Sequence, residues 1–315
     1  MSLNMIDKSK QYTDEILEQI KGGLNKQITN NAICIVTTGS YARGEASKES
    51  DIDYFVIVKN GEYDLKYEEK EIIANVINGY IAKDSGDTGT FGDNAIETLE
   101  NMLRNIGGSE DTNIKITRRM LFLLESKPLY NDTMYDMIMD KLINTYVKNI
   151  KKEQIARFLL NDIIRYYRTI TVDFEFKTSE VSKSWGLRNI KLTYSRKLIY
   201  FAGILCVAKT QDLEKSEKIS LLKDLFTKTP LVRIVDIVED EDIVMEIFKY
   251  YNDFLEQVSD QDIRKKLNSI QTIDDERNKA FNKLKNDSKK FSQVMIKALK
   301  NSFDEKHRIH EGILV

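Results

Sequence analysis

The stretch "TTGSYARGEASKESDIDYFVIV", residues 37–58, carries a glycine–serine turn and, ten residues further on, two aspartates separated by one isoleucine. The turn, Gly39-Ser40, ends one apolar run, and the aspartates, Asp51 and Asp53, open another. Short apolar runs bounded by turn residues are typical of buried strands. The pattern therefore predicts two strands, one ending in a turn and the other beginning with a pair of carboxylates.

The glycine–serine turn suits a phosphate group. Gly39 allows the backbone to approach a ligand closely, and the Ser40 hydroxyl can donate to a phosphate oxygen. A helix that begins at residues 41–43 would direct its first N–H groups to the same point. Arg43 has two interpretations, a contact to phosphate or an ion pair with Glu45.

The two aspartates suit a divalent metal. Residues i and i+2 of a strand share a face, so Asp51 and Asp53 project side by side while Ile52 turns into the core. Two carboxylates this close repel each other unless they are protonated or share a cation. Mg²⁺, with Mn²⁺ as an alternative, commonly binds one or two carboxylates together with substrate phosphates. An isolated Asp-x-Asp is common on solvated strand ends, but combined with the turn it predicts phosphoryl or nucleotidyl transfer.

These residues resemble the signature of the DNA polymerase β-type nucleotidyltransferase superfamily, and the string "GSYARGEASKESDID" is especially similar to bacterial small-molecule and protein nucleotidyltransferases. The resemblance is firm over residues 30–60 and looser over the first 130. It implies a small mixed α/β domain in which two divalent metals help to move a nucleoside monophosphate from an NTP. By this resemblance, Gly39 and Ser40 hold the triphosphate, and Asp51 and Asp53 bind metal.

The superfamily usually has a third carboxylate on a later strand. Asp84 follows a short predicted strand, Tyr80-Ile81-Ala82, and is the first candidate for a catalytic role, with Asp87 and Asp93 as rivals. Without a third acid, the alternative is a non-catalytic, nucleotide-binding regulatory module.

The rest of the chain is mostly helical in pattern. Apolar spacing predicts helices over 5–27 and 64–78, and helical texture from residue 95 onward. We therefore expect an α+β protein with a mixed-sheet nucleotidyltransferase domain at 1–130 and an all-helical domain at 131–315. Asn131 or Asp132 is expected to cap the helix that follows.

The helical half is expected to supply the acceptor site. Arg165 and Lys191 stand among apolar residues, where an unpaired cation is costly, so we expect them to line an acceptor pocket between the two domains. The competing interpretation is an ion pair with Asp162 or Glu175. The domain order also resembles bacterial uridylyltransferases and adenylyltransferases that modify nitrogen-signalling proteins.

Composition narrows the function classes. The 315 residues carry 48 basic and 50 acidic side chains, and this balance argues against nucleic acid as a partner. Two cysteines in apolar surroundings, together with no apparent signal peptide or membrane-spanning run, predict buried thiols in a cytoplasmic protein. The expected partners are an NTP and a small-molecule or protein acceptor; transfer to RNA ends or to a toxin is a further alternative.

Overall fold

The computed structural model describes residues 4–81, 91–92, 94–179, 184–271 and 279–314. These residues form two compact units. The sheet unit comprises Asp7–Asn149 and Lys215–Thr229; the helical unit comprises Met1–Ile6, Ile150–Glu214 and Pro230–Val315.

The elements follow one another as helices interrupted by four strands. The first part of the chain gives α1 (Asn4–Gln27), β1 (Ile33–Thr38), α2 (Gly39–Arg43), β2 (Asp53–Val58), a 3₁₀ turn (Glu62–Asp64), α3 (Tyr67–Tyr80), β3 (Ile96–Thr98), α4 (Leu99–Leu103), α5 (Asn113–Glu125), β4 (Lys127–Tyr130) and α6 (Asp132–Val147). The second part gives α7 (Arg157–Ser179), α8 (Trp185–Lys191), a π-helical turn (Leu192–Arg196), α9 (Lys197–Ala208), α10 (Lys215–Phe226), α11 (Pro230–Ile237), α12 (Glu241–Ser259), α13 (Gln261–Asn268), α14 (Lys279–Ser302) and α15 (Arg308–Gly312).

The architecture is α+β, as predicted. The compact units nevertheless differ from the predicted ranges 1–130 and 131–315, because the helices α6 and α10 both belong to the sheet unit. Asn131 caps α6: its side chain accepts a hydrogen bond from the backbone N–H of Met134. Among the described helices, none has both the length and the hydropathy of a membrane-spanning segment.

The sheet of the sheet unit has the strand order β3-β2-β1-β4. The strand β1 pairs antiparallel with β2 and with β4, whereas β3 pairs parallel with β2. The register of the β1–β2 pair sets Thr38 opposite Asp53. Both predicted strands are confirmed, as β1 and β2, and β2 begins at Asp53.

One face of the sheet packs against α1 and α3. The helix α1 buries Leu17, Ile20 and Leu24, three or four residues apart, as one apolar stripe. Alternate residues of β2 fill the same core, in keeping with the two-residue period of a strand. The buried β2 and α3 members of this cluster are Tyr54, Val56, Val58, Ile73, Val76 and Ile77.

The predicted third strand at Tyr80-Ile81-Ala82 is wrong for its described residues. Tyr80 is the last residue of α3, and the N–H of Ile81 still donates to the Ile77 carbonyl at 3.1 Å. The helical spacing therefore runs two residues further than expected, while Ala82 lies outside the described residues. The third strand is instead β3, three residues long, inside a segment whose spacing predicted a helix. The strand β3 forms by pairing with the edge of β2. The spacing of apolar residues along the segment cannot predict that contact.

In the described residues, the helical unit contains helices without strands. The helical texture predicted for this part of the chain is confirmed, and a π-helical turn at Leu192–Arg196 joins α8 to α9. The last long helix, α14, buries an apolar stripe at helical spacing. Its members, all buried in α14, are Phe281, Leu284, Phe291, Met295 and Ala298.

A fully buried ion pair fixes α5 inside the sheet unit. The Arg119 guanidinium donates to both carboxylate oxygens of Asp111, at 3.0 and 2.8 Å, and to the Tyr146 hydroxyl at 2.8 Å. The exposed fractions of the two ionic side chains are 0% and 1%. Removal of one partner from such a pair leaves a buried charge without compensation.

We therefore expect Asp111→Ala to lower the free energy of unfolding by about 3–5 kcal/mol, measured by urea denaturation. The control is Glu100→Ala, which removes the acid of an exposed i,i+4 pair with Arg104 and should cost less than about 1 kcal/mol. Equal losses of unfolding free energy in the two variants would contradict the stabilising role assigned to the pair of Arg119 with Asp111.

Candidate active site

The turn after β1 needs glycine at its first position. Gly39 has a φ of 69° and begins the five-residue helix α2, whose C-cap is Gly44 with a φ of 73°. Positive φ is strained for residues with a Cβ. The backbone therefore reverses direction directly after the strand, as the sequence predicted.

The same glycine lies against the carboxylate of Asp53. A Cβ built on Gly39 would lie 2.7 Å from Asp53 Oδ2. The register that sets Thr38 opposite Asp53 explains this approach, because it brings the end of β1 beside the start of β2. The turn and the second aspartate, fourteen positions apart in sequence, are thus in contact.

The two predicted metal ligands flank a core residue. Ile52 is 1% exposed, whereas Asp51 and Asp53 on either side of it are partly exposed. Asp53 is the first residue of β2, and Asp51 lies two residues before it, outside the strand. The Asp51 carboxylate is also close enough to Tyr41 to act on its hydroxyl: burial, the neighbouring Tyr12 and then Asp51 raise the pKa of Tyr41.

Hydrogen bonds fix the loop that joins the turn to the aspartates. The N–H of Ala46 donates to Thr13 Oγ1 at 3.0 Å, and the N–H of Ser47 donates to Ser50 Oγ at 3.0 Å. Where the loop meets β2, Thr37 Oγ1 donates to the Asp53 carbonyl at 2.9 Å. Both serines act as loop residues, and the carboxylates therefore project from a well-connected backbone.

Arg43 forms the ion pair that was one of its two predicted interpretations. Its Nε lies 2.7 Å from Glu45 Oε2, and its Nη1 also pairs with Glu125. The three side chains are 7%, 6% and 0% exposed. The guanidinium is enclosed between two protein carboxylates, which favours the ion pair over a phosphate contact for Arg43.

The described residues do not include any of the three candidates for the third carboxylate. Asp84, Asp87 and Asp93 are all outside the described residues, and within the described ranges no group of three potential metal ligands forms. Glu97 on β3 is described but stands opposite Ile57, four residues along β2 from Asp53. That is about 13 Å at 3.3 Å per residue.

Glu97 has a structural role instead. It is 5% exposed and accepts hydrogen bonds from Asn101 Nδ2 at 2.9 Å and from Arg118 Nη1 at 3.3 Å. The sequence analysis missed both β3 and this buried acid. The signal was weak, since three residues of a parallel edge strand show no alternation.

Sequence reasoning also missed Thr38. Its side chain is 1% exposed, and its Oγ1 is buried without a hydrogen-bond partner at the N-terminus of α2. A buried hydroxyl in this state is unusual, and it lies opposite Asp53 in the register. A polar residue directly before the glycine was the one sequence signal for it.

Arg165 and Lys191 both belong to the helical unit. Arg165 Nη1 lies 3.9 Å from Asp162 Oδ1, which is the competing interpretation for this residue, and its side chain is 35% exposed. Lys191 is the last residue of α8 and is partly exposed. Their role at an acceptor pocket stays a prediction.

Comparison with known proteins places the turn and the aspartates in a recognised domain. Residues 17–85 match the family model described as a nucleotidyltransferase domain. The match begins within α1, ends five residues after α3 and includes Gly39, Ser40, Asp51 and Asp53. The resemblance to the DNA polymerase β-type superfamily is thereby confirmed for this part of the chain. A search of curated proteins gave no significant match.

We expect Gly39→Ala to destabilise the protein and to displace the Asp53 carboxylate. Strain at positive φ costs about 1–2 kcal/mol, and the methyl group would add a clash with Asp53. The matched control is Gly107→Ala, since Gly107 has a φ of 77° and open space around its added Cβ.

Both variants should share the strain cost, measured by urea denaturation, and Gly39→Ala should exceed Gly107→Ala. Equal losses would mean that the approach between Gly39 and Asp53 is not tight in solution.

Proposed function

We propose that the sheet unit transfers a nucleoside monophosphate from an NTP to a small-molecule or protein acceptor, with release of pyrophosphate. The observation that carries this proposal is the contact of the Asp53 carboxylate with Gly39 inside the matched nucleotidyltransferase range. It joins a metal-binding type of side chain to a phosphate-binding type of turn. Neither feature alone would indicate transfer chemistry.

The residues present fit a divalent metal of the hard, oxygen-preferring kind. Asp51 and Asp53 offer partly exposed carboxylates beside a glycine whose missing side chain leaves room against Asp53. We propose that these two residues would hold Mg²⁺, or Mn²⁺. When bound, such an ion supplies charge neutralisation and polarisation of a phosphate oxygen.

The protein's own groups orient the triphosphate. Gly39 lets the backbone approach the phosphates, because no side chain stands between the turn and the ligand. The Ser40 hydroxyl, partly exposed on α2, is a donor for a phosphate oxygen. Ile52 in the core and the hydrogen-bonded loop before it keep both carboxylates in place.

The direct test follows both ends of the triphosphate. The protein is incubated with lysate of its parent organism and NTPs labelled at the α or the γ phosphate. Transfer of a nucleoside monophosphate puts the α label on an acceptor and the γ label in pyrophosphate, and mass spectrometry of the product identifies the acceptor. If only the γ label reaches an acceptor, the protein transfers a phosphoryl group and the proposal is wrong.

We expect Asp51→Asn and Asp53→Asn each to lower the transfer rate about a hundredfold or more, because several kcal/mol of transition-state stabilisation are lost. The control is Glu68→Gln, an exposed acid in the first turn of α3, which should keep the full rate. Calorimetry should show weaker Mg²⁺–NTP binding in both aspartate variants. Unchanged metal-dependent binding in both would contradict their assignment.

One candidate for the third carboxylate has described neighbours in the chain that bond to β2. The N–H of Gly92 donates to the Tyr54 carbonyl at 2.9 Å, and the Ala95 carbonyl accepts from Val56 at 2.9 Å. Asp93 stands between these two residues in sequence. This supports Asp93 above Asp84 and Asp87 as the third carboxylate.

We therefore expect Asp93→Asn to lower the transfer rate about a hundredfold, and Asp84→Asn and Asp87→Asn to have small effects. The measurement is the same labelled-NTP assay, with NTP binding followed separately by calorimetry. If wild-type protein binds NTP without any transfer, and none of the three variants changes that binding, the non-catalytic regulatory module becomes the better description.

A further inference from the structure

The helical unit contains a pair of partly buried lysines that face neutral partners. Lys197 Nζ donates to Ser292 Oγ at 2.7 Å, and Lys285 Nζ donates to Asn189 Oδ1 at 2.7 Å. Both lysines are partly exposed and Asn189 is 9% exposed. In the described part of the chain, neither ammonium makes an ion pair with a carboxylate.

Each ammonium keeps hydrogen-bonding capacity to spare. A lysine ammonium carries three N–H donors, and the hydrogen bond to Ser292 or to Asn189 uses one donor of each. Ser292 is already saturated as a donor, since its hydroxyl also donates to the Ser288 carbonyl at 2.8 Å. Two cations with unused donors, close to neutral groups, make a positive site that an anion would satisfy.

The π-helical turn brings this arrangement about. Asn189 and Lys197 are eight residues apart, which in an unbroken α-helix would place them about 80° apart around the axis. One extra residue in a π turn reduces that angle to about 20°. Asn189 and Lys197 can then both contact α14, as they do.

Side-chain packing stabilises the π-helical turn. The Tyr194 ring stacks on Phe254 and on Phe291 at centroid distances of 4.6 and 5.2 Å, and its hydroxyl donates to the Leu284 carbonyl at 2.9 Å. Ser195 Oγ accepts from the buried Tyr251 hydroxyl at 3.2 Å. The approach of Lys197 to α14 is therefore built into the core of the unit.

The electrostatic surroundings also favour an anion. Burial lowers the pKa of Lys197. Burial, then the charge of Lys197 and then that of Lys289 lower the pKa of Lys285. Asp287, which lies between Lys285 and Lys289 on α14, pairs with Lys290 at 3.5 Å. A bound anion would stabilise the charged forms of both lysines.

We propose that Lys197 and Lys285, with the exposed Lys289 one turn beyond Lys285, bind linked phosphate groups of a small anionic ligand. The spacing selects linked phosphates over a single one. Lys285 and Ser292, the partner of Lys197, are seven residues apart on α14, about 10 Å along the axis. A ligand with linked phosphates can extend over this length of α14 and contact both ammonium groups.

The test is calorimetric binding of inorganic tripolyphosphate to the full chain, in EDTA so that no divalent metal takes part. The variants are Lys197→Met and Lys285→Met, which keep most of the aliphatic stem and remove the charge. Each should weaken binding about tenfold, and the double variant about a hundredfold. The control is Lys283→Met, an exposed lysine on the same helix, which should bind as the wild type does.

A thermal melt without ligand shows that each variant is folded, and tripolyphosphate should raise the melting temperature of the wild type but not of the double variant. The proposal is overturned if the wild type does not bind, if the double variant binds equally well, or if Lys283→Met loses as much affinity as the other two.

Two further arms separate this site from the proposed transfer reaction and identify the source of the phosphates. Asp53→Asn should lose transfer and keep tripolyphosphate binding, so that either property can fail without the other. Displacement of tripolyphosphate by metal-free ATP supports the site with a nucleotide as its ligand. Retention of tripolyphosphate against ATP supports the site with an oligophosphate that carries no nucleoside.

Discussion

The candidate active site depends on one close approach, that of the Asp53 carboxylate to the backbone of Gly39. Two independent constraints produce it. The antiparallel register of β1 and β2 sets Thr38 opposite Asp53, and the positive φ of Gly39 turns the chain at that point. Any side chain at position 39 would meet Asp53 Oδ2 within 2.7 Å. The glycine is therefore required twice, once for its conformation and once for its lack of a Cβ.

Buried charge supports this arrangement. Arg43, at the end of the short helix α2, is enclosed between Glu45 and Glu125, and Arg119 on α5 is enclosed with Asp111. Burial of ions is costly and is compensated only by good geometry and complete hydrogen bonding. Such pairs add less to stability than their number suggests, but they specify one position for the helices that carry them. The turn of the candidate site is thus held through α2 by a side chain of α5.

Sequence patterns predicted the elements that show regular spacing over several turns or a full strand. The helix α1, the strands β1 and β2 and the cap at Asn131 all follow their predicted positions. The misses share a cause. The helix α3 continues to Tyr80, and β3 takes three residues from a segment with helical spacing. The short edge strand β3 is determined by its pairing with β2, beside which the N–H of Val56 donates to the Ala95 carbonyl. The spacing of residues within the segment does not indicate that pairing.

The sequence by itself determined the turn at Gly39-Ser40, the pair Asp51 and Asp53, and the family to which this stretch is similar, because those features depend on backbone preferences and spacing within about twenty residues. Only the tertiary structure decided which carboxylates pair with Arg43, since Glu125 is 82 positions away in the chain. The same holds for Lys197 and Lys285, which meet Ser292 and Asn189 across separations of 95 and 96 residues. The partner of a long, flexible cation is set by packing between helices, and a local pattern carries no information about that packing.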